Sequence, residues 1–436
     1  MSTLAAVNLW GRRIGAVSLA GDARAATFQY DPGFLASGIE LSPLVMPVRR
    51  EPYRFAGLPD DAFSGLPGLL ADSLPDRYGT ALVNAWLAAQ GRDAASFDAV
   101  ERLCYVGTRG MGALEFQPAH EPTAPRAEDI RVDELVRLAS EVLSAREQFI
   151  ASLRGGDDAD AMRAILSVGT SAGGARAKAL IAFNESTGQV RSGQVDAGPG
   201  FEQWLLKFDG VSNNRDMGEP DPAGWGAVEF AYSAMARAAG IEMTECRLLE
   251  EGGRRHFMTR RFDRPAGGGR LHVQSLGALA HFDYNQPGAY SYEQALQVAR
   301  RLGLGIDAVE QQFRRMTFNV VARNQDDHIK NIAFVMDRSG TWTLSPAFDL
   351  TFAWEPGNRW LDSHQMTVNG RRDGFTTGDL RQVARAAGMK RGRSDAILAE
   401  VTAAVARWPG FAAGAGVDQR VAGRIARAHR VPLPPG

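Results

Sequence analysis

The segment Arg323-Asn324-Gln325-Asp326-Asp327-His328-Ile329-Lys330-Asn331 decides how this chain is read. Only Ile329 in it is apolar, so it suits neither a core strand nor a helix face. Upstream, Val309, Phe313, Met316 and Val320 recur at steps of 4, 3 and 4 residues, which is one face of a helix. The polar cluster therefore falls on a loop where a packed helix ends. Downstream, the apolar runs 332–336 and 341–344 flank Asp337-Arg338-Ser339-Gly340, a hairpin signal. The hairpin brings the chain back toward its start, and Ser345-Pro346-Ala347-Phe348-Asp349-Leu350 follows.

Helix, polar loop, short hairpin and a second Asp is the layout of a protein-kinase catalytic centre. Phosphoryl transfer needs a carboxylate beside the substrate hydroxyl, and an amide and a second carboxylate to hold the Mg²⁺ ions that neutralise the phosphates. Asp326 and Asn331 stand five apart, the D-x-x-x-x-N spacing. Asp349 supplies the second carboxylate, Lys330 a cation for the transferring phosphoryl group, and His328 a hydrogen bond to a phosphate. By themselves these residues suit a solvated turn equally well. Asp327 is a rival base, and the spacing to Asn331 favours Asp326. The His-Arg and Asp-Phe-Gly of eukaryotic kinases are absent: Asn324-Gln325 precede Asp326, and the triplet reads Phe348-Asp349-Leu350.

The upstream half adds weight. Lys207 interrupts the apolar run 204–208, where a buried ammonium requires an anionic partner such as a bound triphosphate. Glu229, on a following helix, is either its ion-pair partner or a plain surface residue. Ser171-Ala172-Gly173-Gly174-Ala175-Arg176-Ala177-Lys178 offers small residues and cations next to a strand, so backbone N–H groups can approach phosphates. It is not a Walker A loop, and an ordinary Gly-rich turn is the competing reading.

Further out, residues 4–30 read as a three-strand meander, and Leu82, Trp86 and Leu87 mark a helix over 80–90. Three prolines between 118 and 125 favour a linker. A helix is expected over 132–153, strands at 179–183, 204–208 and 256–260, a helix with Ala227, Phe230, Ala234 and Met235 on one face, and mainly helix beyond 290.

The 436 residues carry a net charge of -1, which removes a whole-molecule electrostatic case for nucleic-acid or membrane binding. The balance hides an asymmetry. Residues 371–436 hold 12 basic and 5 acidic side chains, so a +7 tail sits on a −8 body. The two cysteines, Cys104 and Cys246, signal neither a disulfide framework nor a zinc site. No run approaches a membrane span, and a cytoplasmic protein is expected.

Taken together, the order of motifs resembles the HipA family of serine/threonine kinases, the toxins of bacterial toxin–antitoxin pairs. The resemblance runs from Val7-Asn8-Leu9-Trp10-Gly11 and Gly15, through Leu70-Ala71-Asp72-Ser73-Leu74-Pro75-Asp76-Arg77, the 171–178 loop, Lys207 and Thr259-Arg260-Arg261-Phe262-Asp263-Arg264, to Asn331 and Asp349. It implies an α+β fold: a small N-terminal mixed subdomain (1–125), a kinase N-lobe-like region (126–265) and a helical C-terminal lobe (266–436). It implies Asp326 as catalytic base, with Lys330 and His328 beside it, and Asn331 and Asp349 as Mg²⁺ ligands. Lys207 would lie on the ATP phosphates. Ala172, Gly173, Gly174, Ala175, Arg176 and Lys178 would form the phosphate loop, Arg260 to Phe262 the adenine-reading hinge, and Ser171 the autophosphorylated serine. The implied partners are a protein substrate, for which an aminoacyl-tRNA synthetase is the family's best-known case, and a small helix-turn-helix antitoxin through which DNA is met.

Two other classes compete. A metal-dependent hydrolase would use Asp326, Asp327 and His328 as ligands, leaving Lys207 unexplained. A DNA-associated regulator would use the basic tail, whose Leu380 to Met389 stretch superficially resembles a helix-turn-helix opening; a basic amphipathic helix is the simpler reading.

Overall fold

Strands β1 (Thr3–Leu9), β2 (Arg12–Leu19) and β3 (Thr27–Tyr30) form the meander expected at the N-terminus. In this computed structural model, residues 2–118, 130–144, 176–194, 196–211 and 224–436 are described. Residues 171–175, and with them Ser171, Ala172, Gly173, Gly174 and Ala175, lie outside the described residues, as does most of the 118–125 linker.

The β1–β2 turn is made by Trp10 and Gly11, both at positive φ (51° and 78°), which suits a tight hairpin twist. At Gly15 the requirement is space: a Cβ there would sit 2.4 Å from the Gln29 carbonyl oxygen and 2.7 Å from the Phe28 ring. With β4 (Tyr53–Arg54) and β5 (Leu114–Gln117) these strands form an antiparallel sheet of order β4-β3-β2-β1-β5. Helix Ala99–Val106 packs on β1 and is started by a reciprocal Asp98/Glu101 capping box.

A second sheet, of order β7-β6-β8-β10-β9, comprises β6 (Lys178–Phe183), β7 (Val190–Ser192), β8 (Glu202–Lys207), β9 (Cys246–Glu251) and β10 (Arg254–Arg260). Its inner face, with Ile181, Trp204, Leu206 and Met258, packs with Leu82 and Val83 of helix Arg77–Ala89 and Leu135 and Leu138 of helix Val132–Ser144. Each such side chain contributes roughly 1.5–3 kcal/mol of burial.

The chain divides into two compact units. One is Met1–Ala223, Arg247–Val273 and Asp337–Gly340; the other is Gly224–Cys246, Gln274–Met336 and Thr341–Gly436. Each is described by itself. The second is predominantly helical, so the architecture is α+β, as expected from the sequence. At its centre runs helix Ile306–Val321, with Val309, Phe313, Met316 and Val320 all buried, and helices Tyr292–Arg301 and Arg393–Val405 pack against it. In helix Trp225–Ala238, Ala227 and Met235 of the expected face are fully buried, together with Val228, Ala231, Tyr232 and Ala236, whereas Phe230 and Ala234 are only half-buried. The expected face thus holds at two of its four positions, and the buried side also includes Tyr232, whose hydroxyl donates to the Ala322 carbonyl at 2.7 Å. The expected hairpin forms from β12 (Ala333–Met336) and β13 (Trp342–Leu344), paired antiparallel with Val335 opposite Thr343.

Between β13 and helix Thr377–Ala386 the backbone is mostly irregular, unlike the helix expected beyond 290. Helix Thr377–Ala386 itself is amphipathic: Leu380 and Val383 are buried, Arg381 and Arg385 exposed, and it packs on Arg393–Val405. That matches the simpler of the two readings for this stretch. No helix among the described residues is long and apolar enough to cross a membrane.

Candidate active site

Helix Ile306–Val321 ends where the candidate loop begins. Ala322 caps it, and Arg323 takes a left-handed conformation (φ 57°), turning the chain out of the helix. The Arg323 guanidinium lies 4.4 Å from the Trp354 ring centroid and donates to the Ala428 carbonyl at 3.0 Å. A single parallel bridge then joins the loop to the segment carrying Asp349: Gln325 N–H donates to the Ala353 carbonyl (2.8 Å), and Ala353 N–H to the Arg323 carbonyl (3.0 Å). Asn324 adds a side-chain tie, from Nδ2 to Asn319 Oδ1 (3.0 Å) and to the Asp349 carbonyl (3.4 Å). Asp349 is itself left-handed (φ 55°), which makes it a turn point like Arg323.

The two adjacent aspartates have opposite environments. The Asp326 side chain is 46% exposed, and Asn331 Nδ2 donates to its backbone carbonyl at 2.9 Å. Asp327 is fully enclosed. Its Oδ2 accepts from the Tyr292 hydroxyl (2.8 Å) and lies 2.7 Å from His364 Nδ1, while Oδ1 accepts from the Gln365 N–H (2.8 Å). Burial penalises the charge of Asp327, yet His364 and these donors outweigh it and hold the carboxyl below the usual carboxylate range. Tyr292 moves the other way: burial, with Asp327 beside it, raises its phenol well above the ordinary value and fixes it as a donor. Asp327 is thus committed to internal partners, whereas the Asp326 side chain reaches solvent.

His328 Nε2 lies 3.9 Å from Asp326 Oδ1, and the Lys330 ammonium lies 4.3 Å from the Tyr284 ring centroid. Asn331 ends a short 3-10 turn, Ile329–Asn331. His328, Asn331 and Asp349 line one cavity together with Asn324, Asp327, Gln312 and Arg315; Asp326 and Lys330 are not among its lining residues. The two expected metal ligands therefore meet around one space. Its wall also holds polar atoms with no hydrogen-bond partner: Asn324 Oδ1, His328 Nδ1, Arg315 Nε and both amide atoms of Gln312. Asn331 and Asp349 present oxygen donors, the type a hard divalent cation takes. Because Asn331 spends its amide nitrogen on the Asp326 carbonyl, its oxygen is the end that suits a cation. A trio of Asp326, Asp327 and His328 ligands does not form, and among the described residues no group of three or more His, Cys, Asp or Glu side chains is placed to hold a metal. The hydrolase reading loses its ligands here.

In the other unit, Lys207 stands on β8 opposite both Lys178 of β6 and Phe257 of β10, its ammonium 5.9 Å from the Phe257 ring centroid. Lys178 departs from the phosphate-loop expectation. It is buried and pairs with Asp76 at 3.0 Å, the residue that also caps helix Arg77–Ala89. The physical reason is burial: an enclosed ammonium requires an anion, and the Asp76 carboxylate supplies it. Arg260 pairs with half-buried Glu202 at 2.8 Å, and Phe262 is half-buried. Arg176, just before β6, is half-buried. Glu229 is no plain surface residue, being only 2% exposed on its helix.

The segment 260–264 contains a cluster the sequence did not expose. Asp263, fully buried, accepts from Arg261 (2.7 and 2.9 Å), Arg264 (2.6 Å) and the Gly112 N–H (2.8 Å). Burial opposes its charge, but the two guanidinium groups hold the carboxyl well below the usual range. Arg264, through the same burial, is pushed down to about 9. His364 and Arg430, which support Asp327 in the other unit, were also unmarked in the sequence, because neither sits in a local motif.

The HipA N-terminal domain matches residues 5–117 and the HipA-like C-terminal domain matches residues 170–408. The chain belongs to the HipA family. The structure of HipA from Shewanella oneidensis MR-1, solved with HipB and operator DNA, is similar over 98% of this chain and 94% of that one, with a TM-score of 0.68 and 17% identity, so the two share a fold. A protein of Sinorhizobium fredii named "Putative kinase Y4dM" is 31% identical over 141 residues, 28% of this chain and 32% of that one. The chain thus matches about a third of the length of this curated relative.

Proposed function

We propose that this HipA-family protein is an ATP- and Mg²⁺-dependent protein serine/threonine kinase, the toxin of a toxin–antitoxin pair. The observation that carries the proposal is the meeting of His328, Asn331 and Asp349 around one cavity, on a loop bridged to the Asp349 segment, with Asp326 exposed beside it. Asn331 and Asp349 would hold Mg²⁺, which when bound neutralises phosphate charge. Asp326 would accept the proton of a substrate hydroxyl as its oxygen attacks the γ-phosphorus and ADP leaves. Lys330, steadied over Tyr284, and His328 supply positive charge and a hydrogen-bond donor near the transferring group. Lys207, Arg176 and the 171–175 loop would hold the triphosphate and residues 260–262 the adenine; Lys178, engaged by Asp76, would support the strand instead.

Ser171 is proposed as an autophosphorylation site, where a phosphate of about −1.5 to −2 charges would compete for the donors meant for ATP. By kinship with the Shewanella complex, we assign the chain a HipB-like antitoxin partner that brings it to DNA. Incubation with labelled ATP and cell lysate tests the reading. Wild type should label itself and at least one lysate protein, and Asp326→Ala should lose about 10²–10⁴-fold in phosphoryl transfer. Near-wild-type labelling by that variant rejects the assigned base. Phosphopeptide mass spectrometry that finds phosphate only away from Ser171 rejects the switch.

A further inference from the structure

The polar network behind Asp327 continues to the end of the chain. His364 Nε2 lies 3.0 Å from Arg430 Nη1. A guanidinium can only donate, so Nε2 must accept; Nδ1 therefore carries the ring proton and donates it to Asp327 Oδ2 at 2.7 Å. Phe375 packs edge-on against the ring, 5.1 Å between centroids, which holds its plane. Arg430, two residues past helix Gln419–Ala428, spreads over the base of the candidate loop. Nη1 also donates to the Val320 carbonyl (2.7 Å), its backbone N–H donates to the Val321 carbonyl (2.9 Å), and Nη2 pairs with Asp373 and reaches Gln325 Oε1 (3.0 Å). The last turn of the helix, the loop, the irregular segment 360–375 and the chain's end are gripped by one side chain.

The geometry points to Arg430 and His364 as positioning residues for the candidate catalytic loop. Resting on the kinase reading above, the inference is that Arg430 fixes the His364 tautomer, which fixes Asp327, and so sets the direction in which the neighbouring Asp326 projects. Asp327 lines the cavity but cannot turn its carboxylate while both of its oxygens are held. Asp326, one residue earlier on an anchored backbone, is presented outward. The design places the base on a loop but borrows rigidity from a tail about 100 residues later in sequence.

The test compares Arg430→Met, Arg430→Lys, His364→Phe and His364→Gln in the full-length chain. A glutamine can donate to Asp327 and accept from Arg430 at the same time, so it mimics the ring where phenylalanine cannot. Arg430→Met and His364→Phe should lower kcat at least tenfold while KM for ATP stays within about threefold, and His364→Gln should recover most of the loss. In ¹⁵N NMR of histidine side chains, wild type should show His364 protonated at Nδ1 and unprotonated at Nε2, and Arg430→Met should change that signature. An opposite wild-type tautomer overturns the proposal, as does unchanged kcat in both disruptive variants or failure of glutamine to outperform phenylalanine. If Arg430→Met does not fold, Arg430→Lys, which keeps one of the contacts, carries the kinetic comparison. Should wild type show the Nδ1–H signature but transfer no phosphate, the kinase reading has failed while the clamp stands.

Discussion

Two buried carboxylates organise this molecule in different ways. Asp263, in one unit, is enclosed by two full cations and a backbone N–H that ties the 110–112 turn to the 260–264 segment. Asp327, in the other unit, is enclosed by a phenol, an imidazole and a backbone N–H, with the guanidinium of Arg430 one step removed. The first arrangement neutralises charge directly and belongs to stability. In the second, charge compensation is relayed through groups whose donors have fixed directions, which suits the placement of a neighbour. A buried carboxylate therefore reads as a staple or as a positioning device according to what surrounds it, and residue type alone does not say which.

The difference can be broken or sharpened by experiment. Asp263→Ala should have the largest effect on stability, about 3–5 kcal/mol, because it strands two guanidinium groups in a dry site; a denaturation midpoint near wild type would mean that the cluster is hydrated. Acid should act next, and not through the aspartates. Burial pushes His272 down to about 3 and His256 down to about 4, against an ordinary 6.5. Between those values the unfolded chain binds protons that the folded chain does not, so stability falls as pH drops below 6.5, by roughly 2 kcal/mol for each imidazole at pH 5. The contributions of Asp263 and Asp327, whose carboxyls are depressed, persist above their unfolded value near 4 and vanish only below it. Urea melts at pH 7 and pH 5, with and without His272→Gln, measure the histidine share.

Asp327→Asn should cost less, about 1–2 kcal/mol, since the volume is kept and part of the hydrogen bonding survives. If Asp327 is the positioning carboxylate, this variant should still lose phosphoryl transfer out of proportion to its stability. Smallest in stability is Asp326→Asn, expected within about 0.5 kcal/mol of wild type because its side chain is half in water. That variant should nevertheless lose most phosphoryl transfer. Equal activity losses with equal stability losses for Asp326→Asn and Asp327→Asn would erase the distinction between the neighbours.

Much of this was legible in the sequence because it is local. The 4-3-4 spacing of Val309, Phe313, Met316 and Val320 gives the helix and its buried face, the apolar runs around Asp337 to Gly340 give the hairpin, and together they bound the loop from Asn324 to Asn331. The motif order likewise named the family. Lys178 departs from expectation because a lysine in a Gly-rich stretch looks the same whether it faces a phosphate or Asp76, and the far-off partner decides. Asp326 and Asp327 are equal as letters, and five-residue spacing could only favour one. Their separation into an exposed and an enclosed carboxylate comes from Tyr292, His364 and Gln365, which are 35, 37 and 38 residues away. Arg430, unmarked by any motif, is brought to the loop by the packing of helices that intervene. Period and spacing thus set the elements and the candidate chemistry, while burial and the supply of hydrogen-bond partners, which depend on residues remote in sequence, were decided by tertiary structure alone.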